Sequence, residues 1–263
     1  SYTSSLNKSI DFYFGALACN NYGIVSKSFN KAIINLDGIK TQHEIRNSNL
    51  YVGGIVYNNT VSPSSSRTYG KVLQCGNEGN IRIYAKTFVV GGVVASAHVN
   101  SSIEECYNKG NIEGFVTTTG NAISYVGGLV GHNQGIIKNS YSNAQNIIID
   151  LNSQTRTLYV GGLVGYASNQ NGIVINNCYS STNNIQTLNS ERGTAFIGLL
   201  VGYSNAQDTT KQTTSYYVQV SGMVVINNGP SGFSANSFSN SVDLLVSLNA
   251  TDYVYAEGSE YPI

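Results

Sequence analysis

The stretch "SYVGGLVGHNQGIIKNSYSNAQNI", residues 124–147, places a Gly-Gly pair inside an apolar run, then a Gly-containing turn, then a second run closed by a tyrosine. Glycines after a strand also build phosphate-binding loops, so the stretch is either a site or one copy of a repeat. Laid against the rest of the chain, it recurs. Val-Gly-Gly stands at Val52-Gly53-Gly54, Val90-Gly91-Gly92, Val126-Gly127-Gly128 and Val160-Gly161-Gly162, with looser copies at Phe14-Gly15-Ala16 and Ile197-Gly198-Leu199. The first glycines fall at 15, 53, 91, 127, 161 and 198, separated by 38, 38, 36, 34 and 37 residues.

The second half of the unit repeats as well. "YGIVSKSFNKAIINL" (22–36) aligns without a gap to "QGIIKNSYSNAQNII" (134–148), and "SSIEECYNKGNIEG" (101–114) and "NGIVINNCYSSTNNI" (171–185) are further copies. Phe29, Tyr107, Tyr141 and Tyr179 share one slot, preceded by Ser28, Cys106, Ser140 and Cys178; in "VLQCGNEGNIRI" (72–83) Cys75 takes the small slot and Gly76 replaces the aromatic. Ser215 and Tyr216 supply the pair in the sixth copy. The runs are short, rich in β-branched and aromatic residues, and bounded by Asn/Gly/Ser clusters, the pattern of strands. A unit of this size with about three strands cannot bury an apolar face alone, whereas stacked units can. The expected fold is therefore all-β: a parallel β-solenoid of about six 34–38-residue coils, in one repeat domain over residues 1–263. Residues 204–263 read as a degenerate terminal coil or cap. The competing architecture is a β-propeller, whose blades usually need four strands and carry Trp signatures; this chain has no Trp.

Gly128-Leu129-Val130-Gly131 and Gly162-Leu163-Val164-Gly165 resemble the GLUG motif, with a partial third copy at Leu199-Leu200-Val201-Gly202. The resemblance runs from about residue 12 to 203. The first three units depart from it, at Ala16-Leu17-Ala18-Cys19, Gly54-Ile55-Val56-Tyr57 and Gly92-Val93-Val94-Ala95, so the fourth position does not demand glycine in every coil. GLUG-like repeats occur in secreted and surface proteins, including adhesin-like proteins and regions flanking some IgA-cleaving metallopeptidases. The resemblance implies an extracellular, non-catalytic segment.

Only 11% of the 263 residues are charged, fourteen basic against fourteen acidic, while Asn occurs 33 times. Charged residues usually make up about a quarter of a domain, so neutral polar groups solvate this one. The balance provides no basic footprint for nucleic acid, and no apolar run is long enough for a membrane-spanning helix. The chain does not begin with Met, as expected of a processed chain or an excerpt. Asn-x-Ser/Thr sequons stand at Asn7, Asn58, Asn100 and Asn249.

Candidate chemistry is sparse. The Gly-Gly pairs lack the Gly-Lys-Ser/Thr of a phosphate loop and the GxGxxG of a dinucleotide loop. "HEIRN" (43–47) begins like a zinc helix but has Asn47 where the second His belongs. No GxSxG elbow is present, and Glu104-Glu105, the one adjacent acidic pair, would point to opposite faces of a strand. Calcium-binding solenoid turns need an Asp after the glycines, where this chain has Leu, Ile or Val. Turn residues Asn108, Asn111, Asn143 and Asn183 are expected to bond the backbone and to stack as amide ladders. Cys75 and Cys106 share a slot on adjacent coils, within reach of a disulfide if stacked about 4.8 Å apart; the alternative is a small-residue slot filled by Ser or a free thiol.

These readings point away from nucleic acid and membrane insertion and rank the partners that remain, a second copy of the chain before glycans. The leading expectation is an extracellular structural protein, without cofactor or catalytic site, that associates with itself through solenoid ends or edges. An adhesin-type stalk or carbohydrate-binding module comes second, since tyrosine offers an apolar face with a polar tip. A carbohydrate-cleaving β-helix enzyme comes third, by analogy of fold alone.

Overall fold

The structure is a computed structural model, and it describes residues 11–36, 48–118, 123–152, 156–168, 174–189, 193–204, 213–218 and 236–238. The chain folds as an all-β parallel solenoid. The first sheet stacks Asp11–Gly15, Asn49–Gly53, Thr87–Gly91, Ile123–Gly127, Thr157–Gly161 and Thr194–Gly198 in that order. Each strand ends on the first anchor glycine, and those glycines pair in register from Gly15 to Gly198. The chain then bends into the second sheet, Ala18–Asn21, Val56–Asn59, Val94–Ala97, Val130–Asn133, Val164–Ala167 and Val201–Ser204. A third sheet holds the small-residue and aromatic slots. A fourth stacks Ile34–Asn35, Ile81–Ala85, Ile112–Val116, Asn146–Asp150 and Asn184–Leu188 and closes the cross-section. The pairings are parallel except in one hairpin, Val61–Ser62 with Ser65–Tyr69. That removes the propeller, whose blades are antiparallel meanders.

Two expectations need correction. The six coils are not borne out: the solenoid has about four turns at a spacing of about 37 residues. Four turns, 49–85, 87–116, 123–150 and 157–188, have a strand in every sheet and neighbours on both sides, except that Asn184–Leu188 of the last ends the fourth sheet among the described residues. Among the described residues the segment 11–36 has a neighbouring rung on one side only, and the last anchor unit contributes two strands before residue 205. Nor does the unit contain about three strands. The third sheet breaks within each of the first four rungs, as Lys71–Leu73 then Gly76–Asn77, or Ile136–Lys138 then Tyr141–Ser142. A left-handed residue precedes the small slot: Lys27, Gln74, Glu105 and Asn139 make the four breaks with φ of 49°, 52°, 55° and 48°, and Asn177, at 54°, makes the same corner within the continuous strand Val174–Ser180. None is glycine, and three are neither Asn nor Asp, so local preference alone does not create this corner. Gln74 donates to Glu105 Oε2 at 2.7 Å, and Asn177 donates to Asn139 Oδ1 at 2.8 Å, tying equivalent corners together.

Alternation places every second side chain inside. In Thr157–Gly161, Leu158 and Val160 are buried while Thr157 and Tyr159 look outward. The interior is two apolar columns. One lies under the first and fourth sheets, around Leu50, Phe88, Val126, Ile147 and Leu158. The other lies under the second and third, around Ile55, Val93, Leu129, Ile137 and Leu163. Between them runs a polar seam, Asn30, Asn77, Asn108, Ser142 and Ser180, in register along the third sheet. Asn30 donates to Asn77 Oδ1 and Asn77 to Asn108 Oδ1, both at 2.8 Å, and Asn77 and Asn108 also donate to the carbonyls of Gly79 and Gly110. Bonding of this kind is what lets an amide sit in a dry interior, where an unmade hydrogen bond costs about 1–3 kcal/mol.

The second anchor glycine makes room for that seam. A Cβ on Gly92 would lie 2.3 Å from Asn108 Cγ, and one on Gly128 would lie 2.3 Å from Ser142 Oγ and 2.0 Å from the Gly162 carbonyl oxygen of the next turn. The pair is required by close approach of backbone and seam, not by a left-handed backbone.

Candidate functional site

The bend after the first anchor glycine folds the first two sheets into a re-entrant outer angle, and their outward residues share it. From the first sheet come Tyr13, Tyr51, Val89, Tyr125, Tyr159 and Phe196, each paired with the next. From the second come Asn20, Asn58, Ser96, His132, Tyr166 and Tyr203, likewise in register. The rungs repeat at β-strand spacing, so the rings stack along the axis.

They form two clusters. In the first, Tyr13 lies 4.9 Å from Tyr51 and 4.8 Å from Tyr57, which occupies the fourth motif position. In the second, Tyr125 stacks on Tyr159 at 5.6 Å and on Tyr166 at 4.9 Å, His132 stacks on Tyr166 at 5.0 Å, and Tyr159 stacks on Tyr203 at 4.6 Å. Such contacts contribute about 0.5–1.5 kcal/mol each beyond area burial. Burial drives the titrations: Tyr57 and Tyr125 are pushed up to about 12, first by desolvation and then by neighbouring tyrosines. His132 is pushed down to about 4, again mainly by desolvation with His98 adding to it, so its ring is neutral at pH 7. Its Nε2 lies 2.6 Å from Ser168 Oγ.

Between the clusters the ladder lacks one rung. Val89 stands between Tyr51 and Tyr125, and Ser96 between Asn58 and His132; a cavity of about 380 Å³ opens there, bordered by Tyr51, Tyr57, Tyr125 and His132. The third-sheet ladder meets the same situation differently. Tyr107 stacks on Tyr141 at 5.6 Å and Tyr141 on Tyr179 at 4.9 Å, as the shared slot predicts. Where Gly76 interrupts that ladder, the Tyr107 ring leans into the vacant space, 2.3 Å from where a Gly76 Cβ would lie, and comes within 6.3 Å of Phe29. That gap is filled; the Val89 gap is not.

The other residues singled out in the sequence fall into place as follows. Gly53, Gly54, Gly91, Gly92, Gly127, Gly128, Gly161 and Gly162 all lie at the bend. Cys75 and Cys106 occupy equivalent positions on adjacent turns and are free thiols, as are Cys19 and Cys178. The Cys106 sulfhydryl lies 3.4 Å from the Val72 carbonyl oxygen and 3.2 Å from that of Glu104, and burial pushes its pKa well up. Cys75 is lowered by its hydrogen bond with Cys106. Burial pushes Cys178 up to about 12. Asn100 is exposed in a turn at φ 65°, open to modification, whereas Asn58 is part-covered in a strand and donates to Asn20 Oδ1 at 3.1 Å. Asn7, Asn249 and His43-Glu44-Ile45-Arg46-Asn47 lie outside the described residues. Glu104 ends a strand and Glu105 is itself the left-handed corner residue. Among the described residues no three His, Cys, Asp or Glu side chains converge as a metal site, and no helix is long and apolar enough to cross a membrane.

Of the expected amide contacts, Asn111 Oδ1 accepts from the backbone N–H of Asn146 at 2.9 Å, and Asn183 Nδ2 donates to Gln145 Oε1. The outer ladder did not stand out as a site in the sequence, though its signal is there: Tyr-Val-Gly-Gly at Tyr51, Tyr125 and Tyr159.

A family model for the GLUG motif matches residues 122–148. No curated protein and no solved structure matches the chain. The matched segment runs from the strand that carries Tyr125 through the bend, the second and third sheets and into the strand Asn146–Asp150. It is one turn of the solenoid, so the chain is a β-solenoid repeat protein carrying a GLUG motif.

Proposed function

We propose that this chain is an extracellular structural repeat segment that associates with a second copy of itself through its first turn. One observation carries the reading. Phe12, Phe14 and Leu17 are 37%, 38% and 52% exposed. Phe12 and Phe14 pair in register with Leu50 and Val52, which are buried to 2% and 0%. Leu17 precedes the bend residue pairing of Ile55, exposed 0%, and its N–H donates to the Ile55 carbonyl at 2.9 Å. These side chains therefore hold core positions that, among the described residues, lack a neighbouring rung on one side. Ile24, Phe29 and Ile33 add exposed apolar surface to the same turn.

A strand edge with core side chains beside it is a template for another strand of the same pattern. Each internal turn already presents that complement, so the occupant with matching spacing, twist and side-chain order is a turn of another copy. A head-to-tail contact of this kind is heterologous and grows a filament unless its rotation closes. The neutral polar surface and the motif's resemblance to secreted repeats support an extracellular setting and a non-catalytic role.

Sedimentation velocity over a wide concentration range tests the association, alongside Phe14→Asp and Leu17→Lys variants. The expected result is concentration-dependent assembly that both variants abolish while the far-ultraviolet spectrum stays unchanged. A wild-type chain that is monomeric throughout, or assembly indifferent to both variants, overturns the proposal.

A further inference from the structure

The missing rung in the outer aromatic ladder leaves an open slot away from the first-turn surface discussed above. Tyr51 and Tyr125 stand two rungs apart, with Val89 between them in register. At about 4.8 Å per rung, their rings are separated by about 9.6 Å along the axis. A flat ring inserted midway would lie about 4.8 Å from each, close to the 4.9 Å at which Tyr13 and Tyr51 already stack. Tyr51 is backed by Tyr13, and Tyr125 by Tyr159 and Tyr166, so both walls are held before anything binds. His132, backed by Tyr166, faces the position of Ser96 on the neighbouring strand.

The chemistry of the lining selects among flat rings. The cavity is bordered by aromatic faces and, around them, by Asn49, Thr87 and Ser96, and among the described residues no Lys, Arg, Asp or Glu lines it. His132 adds no charge at neutral pH, because burial holds its pKa at about 4. An uncharged ligand with two apolar faces and a rim of hydroxyl groups matches that surround. Asn49 donates to Asp11 Oδ1 at 2.8 Å and accepts from Thr87 Oγ1, so this part of the rim is held in place; ligand hydroxyls can use its remaining lone pairs and the Ser96 hydroxyl, whereas a purely aromatic side chain makes no such bond. The volume, about 380 Å³, falls at the lower end of small-molecule sites. The angle is open along the solenoid, so a ring in the slot could belong to a longer chain lying in the groove.

We infer that the gap at Val89 and Ser96 is a binding site for one neutral pyranose ring of a carbohydrate, sandwiched between Tyr51 and Tyr125.

Isothermal titration with neutral hexasaccharides of glucose, xylose, mannose and N-acetylglucosamine tests this, together with N-acetyl-tyrosine amide as an aromatic competitor. At least one hexasaccharide should bind with saturable heat. Saturation transfer from tyrosine ring protons of the unaltered protein should reach the sugar C–H groups, which locates the ligand without any variant. Val89→Tyr supplies the missing rung from the protein itself. It should weaken binding at least tenfold while the melting temperature holds or rises, since it completes the stack. Ser96→Thr, which adds one methyl group to the cavity wall and is a lesser change than Val89→Tyr, provides a second variant expected to weaken binding and leave folding intact. Absence of binding by all four hexasaccharides, undiminished binding by a folded Val89→Tyr protein, or binding of the tyrosine amide in their stead overturns the assignment. Loss of association in the Phe14 and Leu17 variants with sugar binding retained would separate this site from the first turn.

Discussion

Replacing Gly128 by alanine should damage the protein far more than replacing Gly131, although both are glycines of one four-residue motif. A Cβ at position 128 would sit 2.0 Å from the Gly162 carbonyl oxygen and 2.3 Å from Ser142 Oγ. Backbone of the next turn lies on one side and the polar seam on the other, so relief means parting two turns by more than 1 Å. Parting them stretches the Gly128 N–H bond to Gly161 O, now 3.0 Å, and that of Leu129 to Leu163 O, now 2.8 Å. Overpacking of about 1–3 kcal/mol with about 1 kcal/mol for each weakened hydrogen bond gives a loss of about 3–5 kcal/mol. That is a large part of the roughly 5–15 kcal/mol that stabilises a domain. At position 131 the nearest atoms are the Val90 and Ala95 carbonyl oxygens at 2.7 and 2.8 Å. The backbone must still give there, but by less than at position 128, and Ala95 already occupies the equivalent position one turn earlier, so the expected loss is smaller, about 1–2 kcal/mol. Urea denaturation of both variants, followed by circular dichroism and compared at unchanged slope, measures the difference. Equal losses, or a Gly128→Ala protein within about 1 kcal/mol of the parent, would refute the steric account of the glycine pair.

Acidification should expose the buried histidine. The folded pKa of His132, about 4, lies below its ordinary 6.5, so the unfolded chain takes up the proton first as pH falls. Stability from this group is complete above 6.5 and declines towards 4; at 1.36 kcal/mol per pH unit the interval corresponds to roughly 3 kcal/mol. A His132→Phe protein should lose that part of the pH dependence in parallel urea titrations at pH 7 and 4.5, and identical slopes for both proteins would contradict it. A thiol reagent should modify Cys19 rapidly in the native protein and reach Cys75, Cys106 and Cys178 only on unfolding, since one cysteine is exposed and three are buried. Four free thiols after unfolding without reductant are expected; two would reveal a bridge between Cys75 and Cys106.

The anchors were the most legible part of the chain. Val-Gly-Gly recurs because each turn must bring its backbone against the next, and only glycine leaves the seam its space, so spacing alone located the stacking and its register. The Cys/Ser and aromatic slots were readable for the same reason: Tyr107, Tyr141 and Tyr179 pair directly. The left-handed corners were not, since Lys27, Gln74 and Glu105 carry no local preference for that backbone, and the fold imposes it through the bonds of neighbouring turns. The open slot was half legible. Val89 visibly replaces the tyrosine of its flanking copies, but Gly76 also replaces an aromatic and leaves no opening. What distinguishes the two is whether a neighbouring ring can lean across, a property of packing that no single copy records.

The polar seam also constrains how such a chain can vary in length. Its amides and hydroxyls must meet glycine on the opposite wall, while the columns beside it must meet aliphatic carbon. An insertion of a few residues within a sheet would set leucine against asparagine in every later turn, whereas an excursion between sheets, such as the Val61–Tyr69 hairpin, leaves the stacking phase untouched. Growth or shortening is thereby confined to whole turns, each adding about 4.8 Å. The molecule behaves as a ruler graduated in repeats, and the distance between whatever lies at its two ends is set by counting them.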